Sequence, residues 1–242
     1  VLLNKVRQQA NSESLQNSGV LDASHLIIES RGNEFEATLA FAGPRHHMAA
    51  WLAEPAAMGA VDFISPNAYF AATAVFKDPA SMLADLDTIA AGQAESATKF
   101  LDEFQRAAGV DLRQDLLAAL GGEVAFAVDG PVVPVPAWKL VLETYDSERL
   151  QRAIEALVKS ANQELESRGQ TLRMSISSQT VGGRRIYALA TADGSFGISY
   201  TFVDGYWVIA SQQPVLQRAI DDRASGLALI HSGQFEALWP KN

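Results

Sequence analysis

The chain has 242 residues, of which 48% are hydrophobic and 19% charged, with a net charge of −9. Its length supports one large domain or two small ones, and its acidic balance argues against nucleic acid, whose phosphates require clustered Lys and Arg. It contains no cysteine, which removes disulfides, thiolate zinc sites and cysteine nucleophiles together, and no apolar run reaches the ~18 residues of a membrane span.

Residues 1–20 pass from a weak helical pattern into a polar run and read as a helical tail and linker. Two apolar runs, 25–30 and 34–41, flank Arg31-Gly32-Asn33 and predict a β-hairpin. Gly43-Pro44 opens a short helix over 45–53. Residues 67–76 predict a strand, followed by Asp78 as N-cap and Pro79 at the first helical position. Apolar stripes then run through Met82, Leu83, Leu86 and Ile89, and through Phe100, Leu101 and Phe104. Asp111 caps a third short helix, which Gly121-Gly122 is expected to end.

Val124, Phe126 and Val128 alternate with alanines, the period of two expected for a strand. Pro131, Pro134 and Pro136 keep the next connection extended. In the following strand Trp138, Leu140 and Leu142 form an apolar face, while Lys139, Val141 and Glu143 form a mixed one. Such a strand suits a sheet with helices on one side and water or a partner on the other. Asp146 or Ser147 caps the next helix, whose stripe is Leu150, Ile154, Leu157, Val158, Ala161 and Leu165. Its pairs Glu148–Arg152, Glu155–Lys159 and Glu164–Arg168 each contribute only ~0.2–0.5 kcal/mol, so packing of the stripe decides the helix.

After Gly169, strands are predicted at 172–178, 184–190 and 197–203. Asp204-Gly205 makes a hairpin turn into Tyr206–Ile209. Pro214 starts a helix that Gly226 ends, and Phe235, Leu238 and Trp239 mark a last helical turn. Strand, tight turn and amphipathic helix therefore recur. The expected class is α+β: an antiparallel sheet with amphipathic helices packed on one face, in two loosely related strand–helix halves. The expected division is 1–20 tail, 21–130 and 131–242, with the possibility of one continuous domain. Neither end reads as a natural terminus, which leaves room for a signal peptide, lipid anchor or further domain outside residues 1–242.

Several of these stretches together carry a family resemblance. They are Lys77-Asp78-Pro79 with its leucine-rich helix, the run DLLAALGGEVAFAVDG from Asp115, Trp138–Leu142, the Tyr200–Ile209 hairpin, and SGQFEALWP from Ser232. Over roughly residues 60–240 the chain resembles a bacterial family of proteins of unknown function. Its members are generally predicted to lie outside the cytoplasm, often behind a signal sequence or a single membrane anchor. The resemblance implies an extracytoplasmic location and a fold type. It assigns no catalytic residues.

Individual candidates are weak. Glu123, at a sheet end, reads as a ligand or as an ordinary solvated carboxylate, and the second is favoured because most carboxylates are ordinary. His46 and His47 diverge by about 100° on a helix and cannot chelate one ion; His25 and His231 are isolated. Ser195 lacks the G-x-S-x-G spacing of a nucleophile elbow, and its flanking glycines read as a turn. Arg184 and Arg185, after Gly182-Gly183, read as edge protection. Lys139 and Glu143 lie ~13 Å apart on one strand face, too far for an acid/base pair, and are expected on the outer face. Trp51, Trp138, Trp207 and Trp239 are the best binding candidates, although core positions are favoured for the set.

No catalytic, cofactor-binding or metal residue is assigned, and the chain is not expected to be an enzyme. The expected role is a protein-interaction or accessory subunit in an envelope or membrane-associated complex, with no nucleic acid and no cofactor. The alternative is a carrier or sensor for a small apolar ligand or lipid. It is motivated by Ala71, Ala72, Ala74, Ala125 and Ala127 on strand faces, and it requires an apolar cavity of about 300 Å³ or more.

Overall fold

A computed structural model describes residues 19–31, 34–53, 56–77, 79, 82, 109–133 and 135–233. The expected tail, the two stripes through Leu83–Phe104 and the final turn at Trp239 lie outside the described residues. By internal contacts the chain forms two compact units, one of Val1–Ala53 with Lys77–Glu103 and one of Glu54–Phe76 with Phe104–Asn242.

In the first unit, β1 (Ala23–Arg31) and β2 (Glu34–Phe41) form the expected antiparallel hairpin. The helix expected over 45–53 is only a 3-10 turn, His47–Ala50. No side chain caps it, and His47 has a positive φ of 51°, which an α-helix cannot accommodate.

The second unit is built on a seven-stranded sheet. Its strands are β3 (Phe70–Val75), β4 (Leu120–Val128), β5 (Trp138–Thr144), β6 (Met174–Val181), β7 (Arg184–Thr191), β8 (Gly197–Val203) and β9 (Tyr206–Ala210). They lie in the order β3-β4-β5-β9-β8-β7-β6, every neighbour antiparallel. The α+β class is as expected. The division expected at residue 131 runs through one sheet, because β4 and β5 pair from Val124↔Leu142 to Val128↔Trp138. Asp204 and Gly205 both take positive φ, 51° and 81°, the turn that matches the twist of a tight hairpin, and it sets the Val203↔Tyr206 register.

Two helices in this unit cover opposite faces of the sheet, where one covered face was expected. Helix α1 (Ser147–Ser167) is capped by Asp146, which accepts from the Arg149 amide at 2.9 Å. It buries Ala153, and Leu150 and Ile154 in a cluster with Tyr200 and Ile209, against which Leu140, Leu142, Trp138 and Trp207 pack. Each buried leucine or isoleucine contributes ~1.5–3 kcal/mol, so the stripe outweighs the helix's surface ion pairs. Of those, Glu164–Arg168 closes to 2.7 Å and Glu148–Arg152 to 3.8 Å; Glu155 instead accepts from Gln151 at 2.7 Å.

Helix α2 (Gln213–Ser225) buries Val215, Leu216, Ala219 and Ile220 on the other face. There it joins Ala125, Ala127, Val141, Val208 and Ala210 of the sheet, Phe63 of a 3-10 turn at Gly59–Phe63, and Ile64 just after it. The mixed face of β5 is thus interior: Val141 and Lys139 are both fully buried. Period-two patterning mistakes this face for an outer one, because a paired lysine occupies a position where pattern reading expects solvent.

Candidate functional site

The glycine pair at 121–122 does not stop a helix. Asp111 does cap a turn, accepting from the Arg113 and Gln114 amides at 2.9 Å, but that turn is a π-type segment, Leu112–Leu116, then a 3-10 segment, Leu117–Ala119. Strand β4 then begins at Leu120, and the glycines sit in an irregularity between Leu120 and Val124. They are needed for close approach. A Cβ on Gly121 would occupy the place of the Glu143 carboxylate, and one on Gly122 would meet the Phe76 carbonyl.

The bulge turns two backbone amides inward, so that Gly122 and Glu123 donate to Glu143 Oε2 at 2.9 and 3.3 Å. The Glu123 carboxylate accepts from the Ala60 amide at 3.0 Å and from the Tyr206 hydroxyl at 2.8 Å. Arg223 lies 5.1 Å from the Tyr206 ring centroid and 4.7 Å from that of Phe63. It donates to the Gly59 carbonyl at 2.9 Å and pairs with Asp204 at 3.0 Å and Asp62 at 3.4 Å. Burial, then the bond to Glu123, raises the Tyr206 phenol well above its usual range. Burial, then the Glu143 charge, raises Tyr145. A phenol shifted upward is a poor base or nucleophile near neutral pH. Both carboxylates are occupied by amide and hydroxyl donors, so this end of the sheet is a polar staple joining β4, β5, β9 and the Gly59–Phe63 turn.

On the α2 face, Lys139 Nζ lies 2.6 Å from Asp129 Oδ2 and 3.6 Å from Asp222 Oδ2. Asp129 also accepts from the Ser65 amide at 3.2 Å. Lys139 Nζ and Asp222 Oδ2 are buried without a well-formed hydrogen bond, so the close Lys139–Asp129 contact is an ion pair of poor donor alignment. Desolvation raises the Asp222 carboxyl, opposed by Lys139 and reinforced by Asp129. Sequence reasoning missed this cluster. Its only signals are a lysine inside an apolar strand and an aspartate closing the preceding one.

The remaining candidates are local features. Ser195 donates through Oγ to Asp193 Oδ1 at 2.8 Å, and its amide donates to the same atom at 3.1 Å; those bonds hold the Asp193 carboxyl below its usual value. A turn is the expected reading, and these bonds make it one of Asx type. His25 Nδ1 lies 3.0 Å from Ser24 Oγ, and His231 Nε2 lies 4.0 Å from Asp62. Among the described residues no group of three His, Asp or Glu side chains could hold a metal ion. Arg184 and Arg185 are exposed. Trp138 stacks on Phe126 and Trp207 on Phe202, at centroid distances of 6.4 and 6.2 Å. Both are partly buried under α1, which supports the core reading for these two; Trp51 is partly buried in the first unit.

Two cavities lie along α1. One, of about 530 Å³, is lined by Val110, Asp115, Asp146, Arg149 and Arg152; in it Arg149 pairs with Asp115 at 3.2 Å. The other, of about 370 Å³, is lined by Glu155, Lys159, Asn162, Glu166, Met174 and Ile176. The first is lined mainly by polar and charged groups, whereas Val158, Met174 and Ile176 give the second an apolar wall beside its charged rim. Ala125 and Ala127 are buried beside Phe63, Ile64 and α2.

Several exposed apolar groups lie at the β3 edge and the β4–β5 connection: Tyr69 is 74% exposed, Phe70 55%, Val133 82% and Val135 62%, while Tyr145 at 71% and Leu227 at 68% lie elsewhere. The Tyr69 amide donates to the carbonyl of Val128, the last residue of β4 before the connection, at 2.9 Å. The base of the connection is closed by Asp129 N–H to the Ala137 carbonyl at 2.9 Å and Ala137 N–H to the Pro131 carbonyl at 2.8 Å.

No curated protein and no solved structure matches the chain. A family model described as "Protein of unknown function (DUF3352)" matches residues 54–241, which include every strand of the seven-stranded sheet, and the chain belongs to that family.

Proposed function

We propose that this chain is a non-catalytic protein-interaction domain that receives an extended segment of a partner protein along β3 and the adjoining β4–β5 connection. The observation that supports it is the contrast between the two edges of the sheet. Edge strand β6 carries Ser175, Ser177, Ser178, Gln179 and Thr180. Its first residue, Met174, has both backbone groups bonded by the Asn162 side chain at 2.8 Å. Edge strand β3 reads FAATAV, apolar but for Thr73 and with its first four residues exposed, and neither edge carries a charge or a proline. Proteins normally blunt such an edge, because its backbone groups invite another strand. An apolar edge beside exposed valines suits strand addition, in which backbone bonds supply affinity and side-chain contacts supply specificity.

The bacterial, extracytoplasmic setting belongs to the same proposal and rests on the sequence resemblance. We place the domain in a cell-envelope assembly, as an accessory subunit. A photo-crosslinking amino acid at Val133 or Ala72, in the natural cell, tests the surface. Discrete adducts at these positions, lost on Thr73→Pro and missing from a control probe at exposed Gln163, are expected. Equal labelling at Gln163, or none at the edge, would end the proposal.

A further inference from the structure

The apolar β4–β5 connection hangs from Asp129, and Asp129 is one of two aspartates sharing a single buried ammonium. Lys139 is fully buried, Asp129 is 2% exposed, and the Asp222 side chain is 16% exposed. The cluster therefore carries one negative charge too many for a site shielded from water, where unbalanced charge is most costly. Its atoms are also under-satisfied, since neither Lys139 Nζ nor Asp222 Oδ2 has a well-formed hydrogen bond. Buried polar atoms in native proteins are normally paired, so such exceptions call for an explanation.

The geometry places the three members on three different elements. Lys139 lies on β5, Asp129 at the end of β4 where the connection begins, and Asp222 in the last turns of α2. One backbone group of Asp129 closes the connection's base, while its carboxylate holds the Ser65 amide before β3. We propose that the Lys139–Asp129–Asp222 cluster is an acid-responsive latch: one proton taken up at Asp222 balances the charge, frees Lys139 for Asp129 alone, and loosens the tie between α2 and the base of the exposed connection. The latch would regulate the surface proposed above and rests on that reading for its role.

Few other charges compete at this point. Lys139 and Asp129 face Asp222 across the interface, and Arg218 is the nearby charge on its own helix. Asp62, from the Gly59–Phe63 turn, and Asp204, from the β8–β9 turn, are engaged by Arg223; His231 approaches only Asp62, at 4.0 Å. The sheet residues clustered with α2, among them Val141, Val203, Val208 and Ala210, are uncharged. Desolvation already raises the Asp222 carboxyl above the usual aspartate value, so it is the member poised to take the proton.

The test is an acid titration of the whole chain followed by amide NMR at Asp129, Val132, Val133 and Ala137. These amides are expected to shift together with a midpoint above 3.8, the ordinary aspartate value. Asp222→Asn is expected to show the acid end-point spectrum already at neutral pH and to titrate no further. Asp221→Asn, on the exposed side of α2, is expected to behave as the native chain. Amides that do not shift, or that titrate alike in Asp222→Asn, would overturn the latch. No partner enters the measurement, so failed crosslinking at the β3 edge would sink the docking reading and leave this one standing.

Discussion

Replacing Lys139 with methionine separates a buried ion pair from ordinary packing. Methionine keeps the volume and loses the ammonium, leaving Asp129, 2% exposed, with the Ser65 amide at 3.2 Å and the like charge of Asp222 nearby. Removing one partner of a buried pair costs about 3–5 kcal/mol. For a chain of this size, 1 kcal/mol corresponds to roughly 2–4 °C in Tm, so Lys139→Met is expected to lower Tm by roughly 6–20 °C at neutral pH. The double variant Lys139→Met with Asp129→Asn removes both charges and is expected to recover most of the loss. Urea and thermal denaturation of the three chains at neutral pH provide the assay. A loss under about 1 kcal/mol, or a double variant that recovers none of it, would show that the cluster is wetter than its burial indicates and refute the reasoning.

Other expectations follow from single contacts. Gly121→Ala is expected to destabilise by about 1–3 kcal/mol, typical of overpacking, and adding Glu143→Ala should restore part of that, because the clash is with that carboxylate; chemical denaturation measures both. Asp222→Asn should leave stability at neutral pH equal or higher: the folded pKa of Asp222 is raised, so its ionised form opposes folding, and stability from this group grows as pH falls from that raised value to 3.8. An unfolding series across that window should show the slope in the native chain and lose it in the variant. Tyr200, raised by burial to about 12, donates to Gln151 at 3.1 Å. Its contribution is complete below pH 10 and disappears as pH rises from 10 to 12, so Tyr200→Phe should weaken the alkaline dependence of unfolding. A variant with unchanged alkaline behaviour would mean that the phenol is already solvated.

The amphipathic stripe of α1, the Asp146 and Asp111 caps, the Pro214 start of α2 and the Asp204-Gly205 hairpin were all legible in the chain. Each is decided within a few residues, by backbone sterics, by capping or by hydrophobic period. The Ser195 turn was readable for the same reason. The faces of the sheet were not. Pattern alone could not say that Lys139 points into an interior, because its partners Asp129 and Asp222 lie 10 and 83 positions away along the chain. Nor could it say that Gly121-Gly122 makes room for the Glu143 carboxylate instead of ending a helix, since both uses of glycine look alike locally. The amino-acid sequence by itself determined the α+β class and the position of most elements, because those follow from local propensity and periodicity. Only the tertiary structure decided which strand faces α2, which carboxylates share one ammonium, and which strands form the edges of the sheet, because burial and charge pairing depend on residues brought together from distant parts of the chain.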